Sequence, residues 1–263
     1  MAVSKGKIRP LGWAGSLLFF GIPTLLMLAN FHLGIPALEG LGLSPFEAFI
    51  VASTVPMAIL FAAALAALVA EQAIADGSKL REALRIRMRF PRLSLKAIFL
   101  GVGVYAAMVV AGGVAGVVGR ALVEAQLIPL PDSVPLLLDP RAAINAATLT
   151  KFAGGRLAGN WAIIVLFAVQ IFFNVAGEEL WWRGYVLPRQ ELVFGRRTWL
   201  VHGLLWWGFH AFKWWDLVTV LPLALILSYA AQRSRNNWVP TMAHLLANSL
   251  LALLMLAGVL GLM

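Results

Sequence analysis

Long apolar runs separated by short clusters of basic residues set the pattern of this chain. The runs fall at about 11–31, 46–70, 97–119, 160–187, 199–215, 217–231 and 238–262. A membrane-crossing helix needs about 20 mainly apolar residues, so each run reads as a span. The first, second, third and seventh have ordinary lengths. The fifth and sixth are short and form a hairpin whose tip is Lys213-Trp214-Trp215-Asp216, with tryptophan beside charge as a membrane–water interface favours. Pro188 marks the expected end of the fourth run. The expectation is an all-α, polytopic transmembrane helical bundle of about seven to eight helices, forming a single integral membrane domain over 1–263.

Composition agrees with this. Of 263 residues, 61% are hydrophobic and 13% charged, and the mean hydropathy is +0.85; an ordinary globular domain is about half apolar and about a quarter charged. The absence of cysteine excludes disulfides, thiolate catalysis and cysteine-ligated metal. A net charge of +9 could suggest nucleic acid, but the basic residues lie beside the apolar runs, where they meet anionic lipid; no nucleic-acid partner is expected.

Alternating the loops gives the orientation. One side takes Lys5, Lys7, Arg9, Lys79, Arg81, Arg85, Arg87, Arg89, Arg92, Lys96, Arg183, Arg189, Arg196, Arg197, Arg233 and Arg235, sixteen residues. The other takes Arg120, Arg141, Lys151, Arg156 and Lys213, five residues. The positive-inside rule makes the first side cytoplasmic, with the N-terminus inside. The connection 76–96 mixes basic and apolar residues and is expected along that membrane surface. The proline-bearing connection 120–159 is expected on the far side, as a cap or a gate.

Against this background the stretch NVAGEELWWRGYVLPRQ, 174–190, stands out, because it sets Glu178, Glu179 and Arg183 in apolar sequence. Counted from Pro188 at 1.5 Å per residue, Glu178 lies about 15 Å into the bilayer. His210 falls at a similar depth in the fifth run, and His244 and Asn248 lie roughly 10 and 16 Å into the last. Polar groups at such depth are costly unless they face one another or water. Three runs are therefore expected to share one wet cavity open to the cytoplasm. Glu179 and Arg183, four residues apart, suit an ion pair, with Glu178 about 100° away and free for a separate, proton-handling role. His244 and Asn248 share a helix face. His32, in the first outer loop, and His202, within a turn of the basic surface, are not expected in the cluster. The tryptophans Trp181, Trp182, Trp206 and Trp207 read most simply as packing and interface anchors, with some of the rings lining the cavity as the alternative.

The ordered set GEELWWRG, WWGFH and AHLLAN resembles the motifs of the CPBP family, also called the Abi or CAAX-protease family, which are Glu-Glu-x-x-x-Arg, Phe-x-x-x-His and His-x-x-x-Asn. Trp206 stands where the second motif has phenylalanine. The resemblance covers a catalytic core of about 160–255; residues 1–159 carry no family motif. It implies an intramembrane glutamic-type protease with catalytic residues Glu178, Glu179, Arg183, His210, His244 and Asn248. Glu178 would activate water, His210 would help position it, His244 and Asn248 would donate to the tetrahedral intermediate, and Arg183 would orient the glutamates. No cofactor or metal is expected, although Glu178, His210 and His244 make a conceivable zinc set. The expected partners are the lipid bilayer and a membrane-tethered peptide or protein, in a bacterial cytoplasmic membrane. A non-catalytic scaffold or immunity protein of the same fold is the alternative. A proton-relay transporter is disfavoured, because no broken pair of repeated helices is visible.

Overall fold

The computed structural model describes residues 8–74, 80–131, 134–135 and 138–263. Lys5, Lys7, Lys79 and the side chain of Arg81, counted above on the basic side, lie outside the described residues. Eleven α-helices are described: α1 Trp13–Ala29, α2 Ile35–Gly40, α3 Pro45–Ile74, α4 Leu80–Ile86, α5 Leu95–Glu124, α6 Ala146–Phe152, α7 Trp161–Glu178, α8 Leu187–Phe194, α9 Thr198–Phe209, α10 Leu217–Ser234 and α11 Trp238–Val259. There is no strand among the described residues. Five helical stretches are long and apolar enough to cross a membrane, and the chain is an integral membrane protein. Their outward surfaces carry Leu25 on α1, Val110 and Val117 on α5, and Val165 and Phe172 on α7, apolar groups that face lipid.

Two groups of connections lie at opposite ends of the bundle. At the basic end, Leu11 N–H donates to the Arg189 carbonyl at 3.1 Å and Asn237 N–H to that of Arg89 at 2.9 Å. Arg89 forks onto both oxygens of Glu191, and Glu71 pairs with Arg87 at 3.1 Å and with Arg189. At the other end, His32 bonds the Phe212 carbonyl, Trp214 and Trp215 donate to the carbonyls of Pro129 and Leu138, and Gly159 N–H donates to the Val259 carbonyl. The connection after α5 thus caps the hairpin tip.

Three details depart from the sequence reading. His32 sits in a helix, not a loop: α1 continues through a π-helical turn, Asn30–Gly34, into α2. The fifth run stops being α-helical at Phe209 and proceeds as a tighter turn over His210–Asp216, broken at Lys213, whose φ of −125° and ψ of 59° are non-helical. Pro188 does not end the fourth run either. A π-helical stretch, Glu179–Val186, re-phases the backbone ladder, and Pro188 then falls in the first turn of α8, where the ladder returns to α-helical spacing. The helix runs on to Phe194 and stops at Gly195, whose φ of 55° is left-handed.

Close helix approach fixes the bundle. Helix α5 packs on α10 and α11, and α3 packs on α7. In α5, Gly101 lies under Met242, and Gly112 under Leu223. Small residues of this kind let membrane helices approach where no hydrophobic driving force separates helix from lipid. The tightest seam is at Gly177, where an added Cβ would run into the backbone carbonyl of Met57 on α3. Gly177 directly precedes Glu178, so this contact also seats the acidic pair. Gly177→Ala is expected to lower stability by about 1–3 kcal/mol, because neither backbone can yield. Gly113→Ala on α5, where the new methyl meets open space, should be near neutral. Thermal unfolding midpoints of the two variants in detergent check this.

Candidate active site

Glu178 and Glu179 sit at the junction where α7 gives way to the π-helical stretch, and both are almost wholly buried, at 3% and 1% exposure. Each takes different partners. Glu179 Oε1 accepts from Arg183 Nη1 at 3.1 Å and from His244 Nδ1 at 2.8 Å. Arg183 is completely buried and lies over the Trp206 ring, 4.0 Å from its centroid. A buried guanidinium needs an opposite charge and a polarisable face, and it has both. Arg183 therefore belongs to the bundle interior rather than to the basic surface where the loop count put it.

Glu178 Oε2 accepts from Trp206 Nε1–H at 2.7 Å, and Oε1 accepts from Asn174 Nδ2 at 3.2 Å. The hydrogen bonds of Glu178 therefore go to an indole and a carboxamide rather than to a histidine. Each carboxylate oxygen keeps a further lone pair.

His210 follows the last residue of α9, where the final carbonyls of a helix lack backbone donors. Its Nδ1 bonds one of them, Trp206 O, at 2.8 Å. A carbonyl only accepts, so Nδ1 carries the proton and Nε2 of the neutral ring is an acceptor. The His210 ring meets Trp206 edge-on at 4.6 Å, and His244 meets it at 5.9 Å. Among the described residues neither Nε2 has a hydrogen-bond partner. Asn248, one turn beyond His244, donates Nδ2 to the His244 carbonyl at 3.1 Å, which leaves its second N–H and its oxygen.

Trp206 is therefore the hub. It bonds Glu178, underlies Arg183, receives His210 on its carbonyl and borders both imidazoles. The sequence reads it most simply as packing, with a place in the cavity wall as the alternative. The available signal was its place in WWGFH, four residues before His210, where an indole adds an N–H that phenylalanine lacks. Asn174, one turn before Glu178, was also missed, although i, i+4 spacing made it visible.

His202 does not bond Glu178 or Glu179, but it is fully buried rather than superficial. Its Nδ1 bonds Gln190 Oε1 at 2.7 Å, and Gln190 in turn donates to Ser16 at 3.0 Å. Arg183, His202 and Gln190, all at zero exposure, fill the bundle between the glutamates and the basic end. The half-buried members, Asn174, His210 and Asn248, lie on the opposite side of the glutamates. In α11, about 33 Å long, His244 comes about 9 Å and Asn248 about 15 Å from the start. The cluster is thus in the half of the bundle nearer the basic end, and its half-buried members lie toward the other half.

The conceivable zinc set does not assemble. Among the described residues no three His, Asp or Glu side chains converge as metal ligands.

Trp206→Phe keeps an aromatic ring under Arg183 but removes the donor to Glu178 together with the second ring of the indole. It is expected to lower stability by about 1–3 kcal/mol through the unsatisfied buried carboxyl. A lowered thermal midpoint with an unchanged helical circular-dichroism spectrum checks this.

No curated protein and no solved structure matches the chain. Residues 160–250 match the model of the family described as Rce1-like, type II CAAX prenyl endopeptidase Rce1-like. That segment contains every member of the cluster, from Asn174 to Asn248, and the matched family is described as one of endopeptidases. Over residues 160–250, about a third of its length, the chain is similar to the CPBP, or CAAX-protease, family.

Proposed function

We propose that this protein hydrolyses a peptide bond of a membrane-tethered peptide or protein inside the bilayer, with water activated by Glu178. The observation that carries the reading is the division of two adjacent buried carboxylates. Glu179 is tied to Arg183 and His244, whereas Glu178 is held by two neutral donors and keeps lone pairs for water. Carboxyls with such different surroundings are suited to different roles in acid–base chemistry.

In this mechanism Glu178 accepts a proton from water as the oxygen attacks the scissile carbonyl carbon. His210 Nε2 accepts a hydrogen bond from the second O–H of that water, which stays on the attacking oxygen, and fixes the direction of attack. The oxyanion takes hydrogen bonds from Asn248 Nδ2 and from His244 Nε2 when that atom carries a proton. Glu179 holds the His244 ring through Nδ1, as a carboxylate orients the histidine of a serine-protease triad. The intermediate collapses with cleavage of the C–N bond, and Glu178 returns its proton to the leaving amine. Arg183 positions Glu179 without touching the reacting atoms.

The half-buried rim of Asn174, His210 and Asn248 admits the substrate strand from the interior of the membrane. By the positive-inside rule the basic end faces the cytoplasm of a bacterial membrane. The prenylated CaaX substrates named in the family description would require a prenylating host, so a bacterial tethered peptide is the substrate class proposed.

Membrane peptidomes of cells carrying the wild-type chain, Glu178→Gln, His244→Ala or no chain test this. Defined peptide ends are expected with the wild type only. Rates in proteoliposomes with the substrate so found should fall about 10²–10⁴-fold for Glu178→Gln. Wild-type cleavage should persist in strong chelator. Normal processing by both variants, each folded and inserted, would sink the proposal.

A further inference from the structure

At the basic end, away from the glutamates, the short turn Gly195–Arg197 and the end of α10 enclose a hollow of about 520 Å³. It is lined by Arg196, Trp199, Tyr229, Gln232, Arg233 and Arg235, three cations with no carboxylate among them. This is unusual for its own neighbourhood. At the same end Arg87, Arg89 and Arg189 are each paired with Glu71 or Glu191. Arg196, Arg233 and Arg235 make no salt bridge among the described residues. Like charges around one concavity repel unless an anion joins them.

The walls are held in place. The Gln232 carboxamide accepts from Trp199 N–H at 2.7 Å and donates to the Gly195 carbonyl at 2.8 Å, which locks the turn to α10. Arg235 takes the left-handed C-cap of α10, with φ 51° and ψ 28°, so the chain doubles back and sets Arg235 beside Arg233 at the rim. Trp199 and Tyr229 meet edge to face at 5.5 Å and form an aromatic side. Arginine forks are suited to phosphate oxygens, and aromatic rings with basic residues mark the headgroup level of a bilayer.

We propose that this hollow is a binding site for the phosphodiester of an anionic lipid headgroup. Arg196, Arg233 and Arg235 grip the phosphate oxygens, and Trp199 and Tyr229 lie along the glycerol and upper acyl chain. The volume exceeds that of a phosphate alone and leaves room for the glycerol beside it. The site is independent of the proposed proteolysis, and its occupancy would hold the α9–α10 hairpin, which carries Trp206 and His210, at a fixed height in the membrane.

The test uses the full chain in neutral detergent, with phosphatidylglycerol retention measured by native mass spectrometry and the thermal midpoint followed as that lipid or sodium phosphate is added. The wild type is expected to retain the lipid and to gain thermal stability from it. The doubly substituted Arg196→Gln, Arg233→Gln chain should bind about thirtyfold more weakly, at roughly a factor of five per surface arginine. Arg141→Gln, at the opposite end, should bind as the wild type does. If the double glutamine variant does not fold, Arg196→Lys with Arg233→Lys keeps the charge, and its loss of the paired forks should still weaken retention severalfold. A midpoint rise with sodium phosphate alone would assign the same grip to a free phosphate instead of a lipid. Equal retention by the wild type and a folded double variant would overturn the site.

Discussion

The structure depends on one constraint, which is that a guanidinium and two carboxyls are buried in a bundle whose outside is hydrocarbon. Removing such groups from water costs several kcal/mol each unless they are paired and hydrogen-bonded. Arg183 and Glu179, at 0% and 1% exposure, can be there only because three helices deliver partners to them at the same level. The π-helical stretch brings Arg183 back to Glu179, α11 brings His244, and α9 brings the Trp206 ring. Moving any one of these helices would strand a charge in lipid, so the requirements of burial and those of the site coincide.

Trp206 shows how closely the two are joined. Its ring gives Arg183 an electron-rich face, its N–H satisfies Glu178, and its backbone carbonyl fixes the tautomer of His210. One residue thereby supports a cation, a carboxyl and an imidazole. The seam at Gly177 does complementary work from the other side, since the closeness of α3 and α7 sets where the acidic pair can stand.

Much of this could be read from the letters of the chain. Apolar runs located the membrane helices, the basic clusters located one end of the bundle, and i, i+4 spacing anticipated the Glu179–Arg183 pair. The remainder depended on crossing geometry that linear spacing does not carry. An indole reads equally as packing or as a donor until the neighbouring helix is in place, which hid the role of Trp206. His202 lies close to the surface along the helix axis, yet Phe20 and Gln190 from other elements pack against it. Pro188 misled because its usual effect as a helix breaker assumes an unbroken α-helical ladder before it.

That irregular ladder bears on the length of the chain as well as its letters. A π-helical turn holds about one residue more than the α-helical turn it replaces. A homologue one residue shorter between Arg183 and Leu187 can therefore run as plain α-helix and still carry Arg189 and Gln190 near the faces where they meet Glu71, His202 and Ser16. A motif search among relatives should accordingly tolerate a single gap after the arginine, because chains of either length can close the same interior.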